Sequence, residues 1–150
     1  MCNRTSSKKQ KEWYSGKKKK HTIKTQIIAN AKDNRILSIA QAKGSVHDFN
    51  LFKQSYIAIN ENIKIQADSG YQGICDIHKN SETPKKKSKL HPLTKEDKAN
   101  NHRISKERIS IEHINGHIKR FKILSTQYRN KRKKHLLRMS LICGFYNFEI

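Results

Sequence analysis

The sequence predicts a mixed α/β or α+β domain, and three patterns predict it: a pair of alternating apolar runs near the start, a change to helical spacing near residue 50, and two helix-like segments towards the end. Ile23, Thr25 and Ile27 alternate with polar residues, as a half-buried strand does. Asp33-Asn34 supplies a turn, and residues 35–40 return as the second strand of an antiparallel hairpin closed by Gly44. Phe49, Leu51, Phe52 and Tyr56 then fall near helical spacing, with Ser45 or His47-Asp48 as the cap. Ile63-Lys64-Ile65-Gln66-Ala67 alternates again and stops at Asp68-Ser69-Gly70, a strand ending in a carboxylate and a turn. Residues 79–101 hold Pro84, Pro92, lysines at 85–87 and only Leu90 and Leu93 as large aliphatics, the composition of a solvated basic excursion. Ile104, Ile111, Ile114, Ile118 and Phe121 recur at spacings of 7, 3, 4 and 3 and predict an amphipathic helix over 105–122. A basic segment at 129–134 leads into a last helix whose Leu136, Leu137, Met139, Leu141, Ile142, Phe145 and Phe148 are apolar all round, so it is expected to pack beneath the sheet. Residues 1–150 read as one domain.

Charge dominates the composition. Lys and Arg number 33 against 12 Asp and Glu, a net charge of +21, with 34% apolar and 7% aromatic residues. Such a surplus repels itself unless a polyanion is near, so nucleic acid is the expected partner and an anionic membrane surface the weaker one. No apolar run approaches the ~18 to 20 residues of a spanning helix. The first nine residues are basic and lead into Lys, Glu and Trp, so no secretory signal is expected and the chain is expected to stay inside the cell. Cys2, Cys75 and Cys143 lie far apart without a Cys-x-x-Cys pair, which speaks for reduced thiols rather than disulfides or a zinc knuckle.

On the helix expected over 105–122, Arg108, Glu112, Asn115, Gly116 and Lys119 share one stripe. Glu112 reads either as an i,i+4 ion pair with Arg108 or as a carboxylate presented for chemistry. Asp68 reads either as an Asx-type turn with Ser69-Gly70 or as a metal ligand. A divalent cation that activates a nucleophile on a phosphodiester needs carboxylates converging from separate elements, as a strand end and a later helix supply. His113 and His117 have a zinc-compatible spacing, but no Glu stands between them and no third ligand is obvious. Trp13, Tyr14 and Tyr71 suit either base stacking or packing at the fold's edge.

Four blocks, Tyr14-Ser15-Gly16-Lys17-Lys18-Lys19-Lys20-His21-Thr22-Ile23-Lys24-Thr25-Gln26, Gly44-Ser45-Val46-His47-Asp48, Ala67-Asp68-Ser69-Gly70-Tyr71-Gln72-Gly73, and Arg108 through Phe121, occur in this order. Together they resemble the nuclease domain of IS5-type insertion-sequence transposases. The resemblance implies a ribonuclease-H-like mixed sheet flanked by helices, and an Asp-Asp-Glu triad that binds Mg²⁺ or Mn²⁺ and cuts and joins DNA. It places Asp68 at the second catalytic aspartate and Glu112 at the glutamate, both as metal ligands. Asp48 becomes a candidate behind the ligands, and Lys17, Lys18, Lys19, Lys20, His21, Lys119 and Arg120 become candidates for phosphate contact. The implied partners are the element's terminal repeats and target DNA in a bacterial cytoplasm, associated with the nucleoid.

One departure stands out. The family's first catalytic aspartate lies on a first strand upstream of the segment that Lys8-Lys9-Gln10 resembles, and no Asp occurs here before Asp33. The expectation is a partial nuclease domain lacking its first strand and inactive alone. It is then either the downstream product of a two-frame element, partnered by an upstream-frame product or a full-length transposase, or a decayed remnant. The competing classes are a non-enzymatic basic nucleic-acid-binding protein and an inhibitory transposase fragment.

Overall fold

The computed structural model describes residues 13–15, 19–88, 92–126 and 134–150. Among these, the strands form pairs. β1 (Tyr14–Ser15) and β2 (Lys20–His21) are antiparallel, as are β3 (Ile23–Ala29) and β4 (Ile36–Lys43), whereas β5 (Ile65–Gln66) and β6 (Ser81–Glu82) are parallel. The helices are α1 (Asp48–Gln54), α2 (Ile74–Ile77), α3 (Lys95–Glu107), α4 (Ile109–Lys119), α5 (Lys122–Ser125) and α6 (His135–Glu149), with a 3₁₀ turn at Ser69–Tyr71. The molecule is thus mixed α/β, as the patterns predict. No helix among the described residues is long and apolar enough to cross a membrane.

The β3–β4 hairpin forms where the alternation puts it, with Ile23 opposite Lys43 and Ile27 opposite Ile39. Its turn uses Asn34 at φ 59, a left-handed conformation that Asn tolerates, and the Asp33 side chain accepts the Arg35 amide at 3.1 Å. The hairpin is covered on both faces. Ile27, Ala29, Ile36 and Ile39 face a core made with Ile114, Ile118, Met139, Ile142 and Cys143, while Gln26, on the other face of β3, is also buried. The assignment of the alternate polar positions of β3 to solvent is therefore corrected at Gln26.

Other expectations need correction. The helix expected over 105–122 is two helices, α3 and α4, which meet at Arg108. The isoleucine pattern crosses that break in phase, yet Ile104 is buried apart from the cluster that holds Ile114 and Ile118. The excursion over 79–101 is less irregular than its composition, because it contributes β6 and the first turns of α3. Thr94 caps α3 in a reciprocal capping box with Asp97, and Lys85 pairs with that same Asp97 at 2.6 Å. The strand expected over 63–67 pairs only at Ile65–Gln66. Helix α1 ends before Tyr56, and His47 at its N-cap makes no side-chain capping bond. Helix α6 is not enclosed: His135, Met139, Ile142 and Cys143 are buried, whereas Leu137, Leu141, Phe145 and Phe148 are exposed. Leu90 and residues 129–133 lie outside the described residues.

Three measurements check this packing. Ile114 is 1% exposed at the centre of the α4–α6–hairpin core. Ile114→Ala is expected to cost about 2–5 kcal/mol of unfolding free energy in a denaturant titration. Phe148, 90% exposed, should tolerate Phe148→Ser within about 0.5 kcal/mol. Burial, with the Arg138 charge added, lowers the His135 pKa below its ordinary 6.5. The unfolded chain thus binds the proton more readily, and stability should fall as pH drops through and below that value. His135→Gln should flatten this slope.

Candidate active site

Asp68 follows β5 by two residues and turns the chain. Its extended backbone (φ −73, ψ 162) opens the 3₁₀ turn, and its Oδ1 accepts the Ser69 amide at 2.6 Å. The turn reading is therefore realised, and it leaves the carboxylate available, since the Asp68 side chain is 61% exposed. Its charged neighbour is Arg108, whose Nη1 lies 3.6 Å from Asp68 Oδ1.

Arg108 occupies the break between α3 and α4, where φ −84 and ψ 0 serve as the end of one helix and the start of the next. The ion pair expected between Arg108 and Glu112 is not formed among the described residues; the guanidinium goes to Asp68 instead. The Glu112 amide still donates to the Arg108 carbonyl at 3.4 Å, which keeps the two residues one helical turn apart, with Cβ atoms about 5–6 Å from each other. Glu112 stands in the first turn of α4 and is exposed. Arg108 therefore connects the strand-end acid to the turn that bears the helix acid.

Asp48 arrives from α1 on the other side of the Asp68 turn. Lys24 Nζ is 3.1 Å from Asp48 Oδ1. A Cβ placed on Gly70 would lie 2.6 Å from Asp48 Oδ2, so a side chain at 70 would displace the Asp48 carboxylate from this turn. Between these acids sits Tyr71. Its ring meets Phe52 edge-on at 6.4 Å, and its hydroxyl donates a long bond of 3.5 Å to Gln26 Oε1. Burial first, then the charges of Asp48 and Asp68, push the Tyr71 pKa up to about 12 against the opposing pull of Arg108. The phenol stays neutral at physiological pH and feels all three charged groups. Gln26 is 4% exposed and its Nε2 has no partner, an exception among buried polar groups.

Among the described residues no three His, Cys, Asp or Glu side chains converge on a point that could hold a metal ion. Asp68 and Glu112 alone do not fit a complete site, and the His113/His117 spacing gains no third ligand. His117 instead packs edge-on against Tyr146 at 5.9 Å. Of the phosphate-contact candidates, Lys119 and Arg120 end α4 and are exposed. Lys19 is exposed at φ 49, and His21 is exposed with its ring edge-on to Tyr14 at 6.0 Å. Lys20 pairs through its backbone with Ser15, and Lys17 and Lys18 lie outside the described residues. Sequence reasoning missed Lys24, Gln26, the placement of Tyr71 and the Arg108–Asp68 pair. The readable signal was that Lys24 and Gln26 occupy one face of a strand whose other face is apolar.

The described residues thus form a mixed α/β domain with Asp48 and Asp68 flanking a strand-end turn, in a strongly basic chain. Sequence comparison makes the family definite: residues 1–147 match the family described as DDE superfamily endonuclease, and the chain belongs to it. It is 48% identical over 143 residues, 95% of its length, to a protein of Microchaete diplosiphon named a probable transposase for insertion sequence element IS702. The chain spans 52% of that relative's length. No solved structure matches it.

The charges around Tyr71 can be read directly. Asp48→Asn should lower the Tyr71 pKa from about 12, but not to the free value, because burial persists; NMR of labelled tyrosine ring carbons gives the titration. An unchanged pKa would remove Asp48 from this cluster. Because folded Tyr71 holds its proton to about pH 12 against the ordinary value of 10.0, the folded state binds more protons across that window. Its contribution to stability is present below pH 10 and declines as pH rises towards 12.

Proposed function

We propose that this chain is the downstream part of the nuclease domain of an IS5-type transposase, and that its residues cut and join DNA strands at the ends of an insertion element. The observation that carries the reading is the linkage of Asp68, through Arg108, to the helix turn bearing Glu112, in a chain that belongs to the DDE endonucleases. Phosphoryl transfer asks a protein mainly for positioning and for stabilisation of charge on the transferred group. In this reading Asp68 and Glu112 supply two acids of the triad, and Asp48, seated on Gly70, positions the Asp68 turn. Arg108, Lys119 and Arg120 meet phosphate oxygens, and Lys19, Lys20 and His21 follow the strand further out.

DDE superfamily endonucleases are generally dependent on divalent metal. A third carboxylate is needed to complete the set, and in this proposal it comes from polypeptide outside these 150 residues. Two features support that part of the reading. β3 is paired on one side only, with β4, among the described residues, and the buried Gln26 Nε2 on that strand wants an acceptor. An added strand that brings an Asp supplies both. The antiparallel β3–β4 and parallel β5–β6 pairs suit a ribonuclease-H-like sheet completed in this way. The protein acts inside a bacterial cell on the nucleoid, with the element's terminal repeats and target DNA as partners.

The test is cleavage of terminal-repeat DNA in Mn²⁺ or Mg²⁺ by the chain fused to an upstream strand that carries an Asp. Activity is expected from the fusion and not from residues 1–150 alone, and Asp68→Ala or Glu112→Gln should reduce it on the order of a hundredfold or more. Activity that survives Asp68→Ala overturns the assignment. The net charge of +21 supports a second reading, a non-enzymatic DNA binder. Under it, both substitutions leave DNA affinity unchanged or slightly tighter and no cleavage is ever seen.

A further inference from the structure

A concavity lies at the end of the β3–β4 hairpin. It has a volume of about 430 Å³ and is lined by Trp13, Ile23, Ala42, Lys43, Val46 and Gln54 among others. This is within the size range of small-ligand sites, and its composition is apolar with an aromatic wall and a few amide and ammonium groups.

Trp13 is held at this groove by its backbone. The Thr22 amide donates to the Trp13 carbonyl at 2.8 Å, and a Cβ on Gly44 would lie 2.9 Å from that same oxygen and 2.8 Å from the Thr22 carbonyl. Glycine at 44 thus lets the segment that starts β1 lie directly on the end of the hairpin. The groove and the acids are also joined. Lys24 Nζ donates to the carbonyl of Val46, a wall of the groove, and pairs with Asp48. A DNA strand engaged at Asp68 therefore has the groove within a short stretch of backbone.

An occupant of this site must offer an apolar flat face, hydrogen-bonding edges for the amides, and negative charge to match a chain of +21. A nucleotide has all three. We propose that the groove takes one unpaired base of the bound DNA strand, stacked on Trp13, with the adjoining phosphates held by the surrounding cations. Stacking of this kind tolerates any base, since each has a π face. The inference rests on the DNA-processing reading above and adds to it a site that neither the acids nor the basic runs specify.

Trp13 is the only tryptophan in the sequence, so its fluorescence reports on the groove alone. The 150-residue protein is titrated with a short single-stranded oligothymidylate and with an abasic oligonucleotide of equal length and charge. Tryptophan emission and the anisotropy of an end-labelled strand are followed together. The expected result is that the thymidylate quenches Trp13 strongly, the abasic strand does so weakly, and the thymidylate binds about fivefold or more tightly. Trp13→Phe should keep that preference in anisotropy, and Trp13→Ala should bring the thymidylate down to abasic affinity. Equal quenching and equal affinity for the two strands overturn the base site while leaving DNA binding standing. Binding of neither strand overturns both the inference and the DNA reading beneath it. A base preference that persists in folded Trp13→Ala also overturns it. Should that variant misfold, the two-strand comparison on the unaltered protein still decides.

Discussion

The side chain of Asn147, near the end of the last helix, grips the backbone of Ile36 at the start of β4. Its Oδ1 accepts the Ile36 amide at 2.8 Å and its Nδ2 donates to the Ile36 carbonyl at 2.8 Å. These bonds span 111 residues. They satisfy the main chain of a strand end that a two-stranded ribbon leaves open, where an unpaired buried amide and carbonyl would each be costly. A lone hairpin is marginal in water and needs a packed face. Here Ile36 is both the residue gripped and a member of the core, so the same contact that closes the backbone also sets α6, through Met139 and Ile142, down on Ile114 and Ile118.

The other half of the molecule coheres differently. β5 and β6 are held to α3 by charge and amide groups: Lys64 and Arg103 share Glu82, Arg103 also reaches Glu107, and Glu107 receives Gln66. Burial works to raise the Glu82 carboxyl, but the hydrogen bonds from Lys64 and Arg103 outweigh it and hold it below the ordinary value. The hydrogen bond from Gln66, then that from Arg103, lowers the Glu107 carboxyl. Such exposed pairs are individually weak and are screened by salt. They also occupy acids that are scarce in this chain, 12 Asp and Glu in 150 residues.

The parts of this design that sequence could show were those decided by local period. The β3–β4 hairpin, the isoleucines of α4 and the apolar content of α6 were legible because packing there follows alternation or helical spacing. The break at Arg108 was not, because Ile104 and Ile111 stay in phase across it while belonging to different environments. The helical start of α3 was hidden by a lysine-rich composition and revealed by the Thr94–Asp97 capping box. Of the candidate site, Asp68 and Glu112 were visible as residue types in ordered motifs. The meeting of Asp48 with Gly70, of Tyr71 with Gln26 and of Arg108 with Asp68 joins residues 22 to 45 apart in sequence. No pattern within one element encodes such contacts. Gln26 was hidden for a further reason: a strand covered on both faces buries its polar alternates as well as its apolar ones.

Arg108 belongs to both halves. A helix running unbroken from Lys95 to Lys119 would have to follow the charged lattice and the apolar core along one axis. The break releases α4 to follow the hairpin while α3 follows β6. The guanidinium, still one helical turn from Glu112, goes to Asp68 instead. The contact, at 3.6 Å to an acid that is 61% exposed, is a loose one. A phosphate oxygen is a better partner for that guanidinium, because it accepts in the forked geometry the group prefers. Under the proposed function, the residue at which the two halves meet is therefore one that a bound strand draws away from Asp68, and the relation of Asp68 to Glu112 follows from where it points.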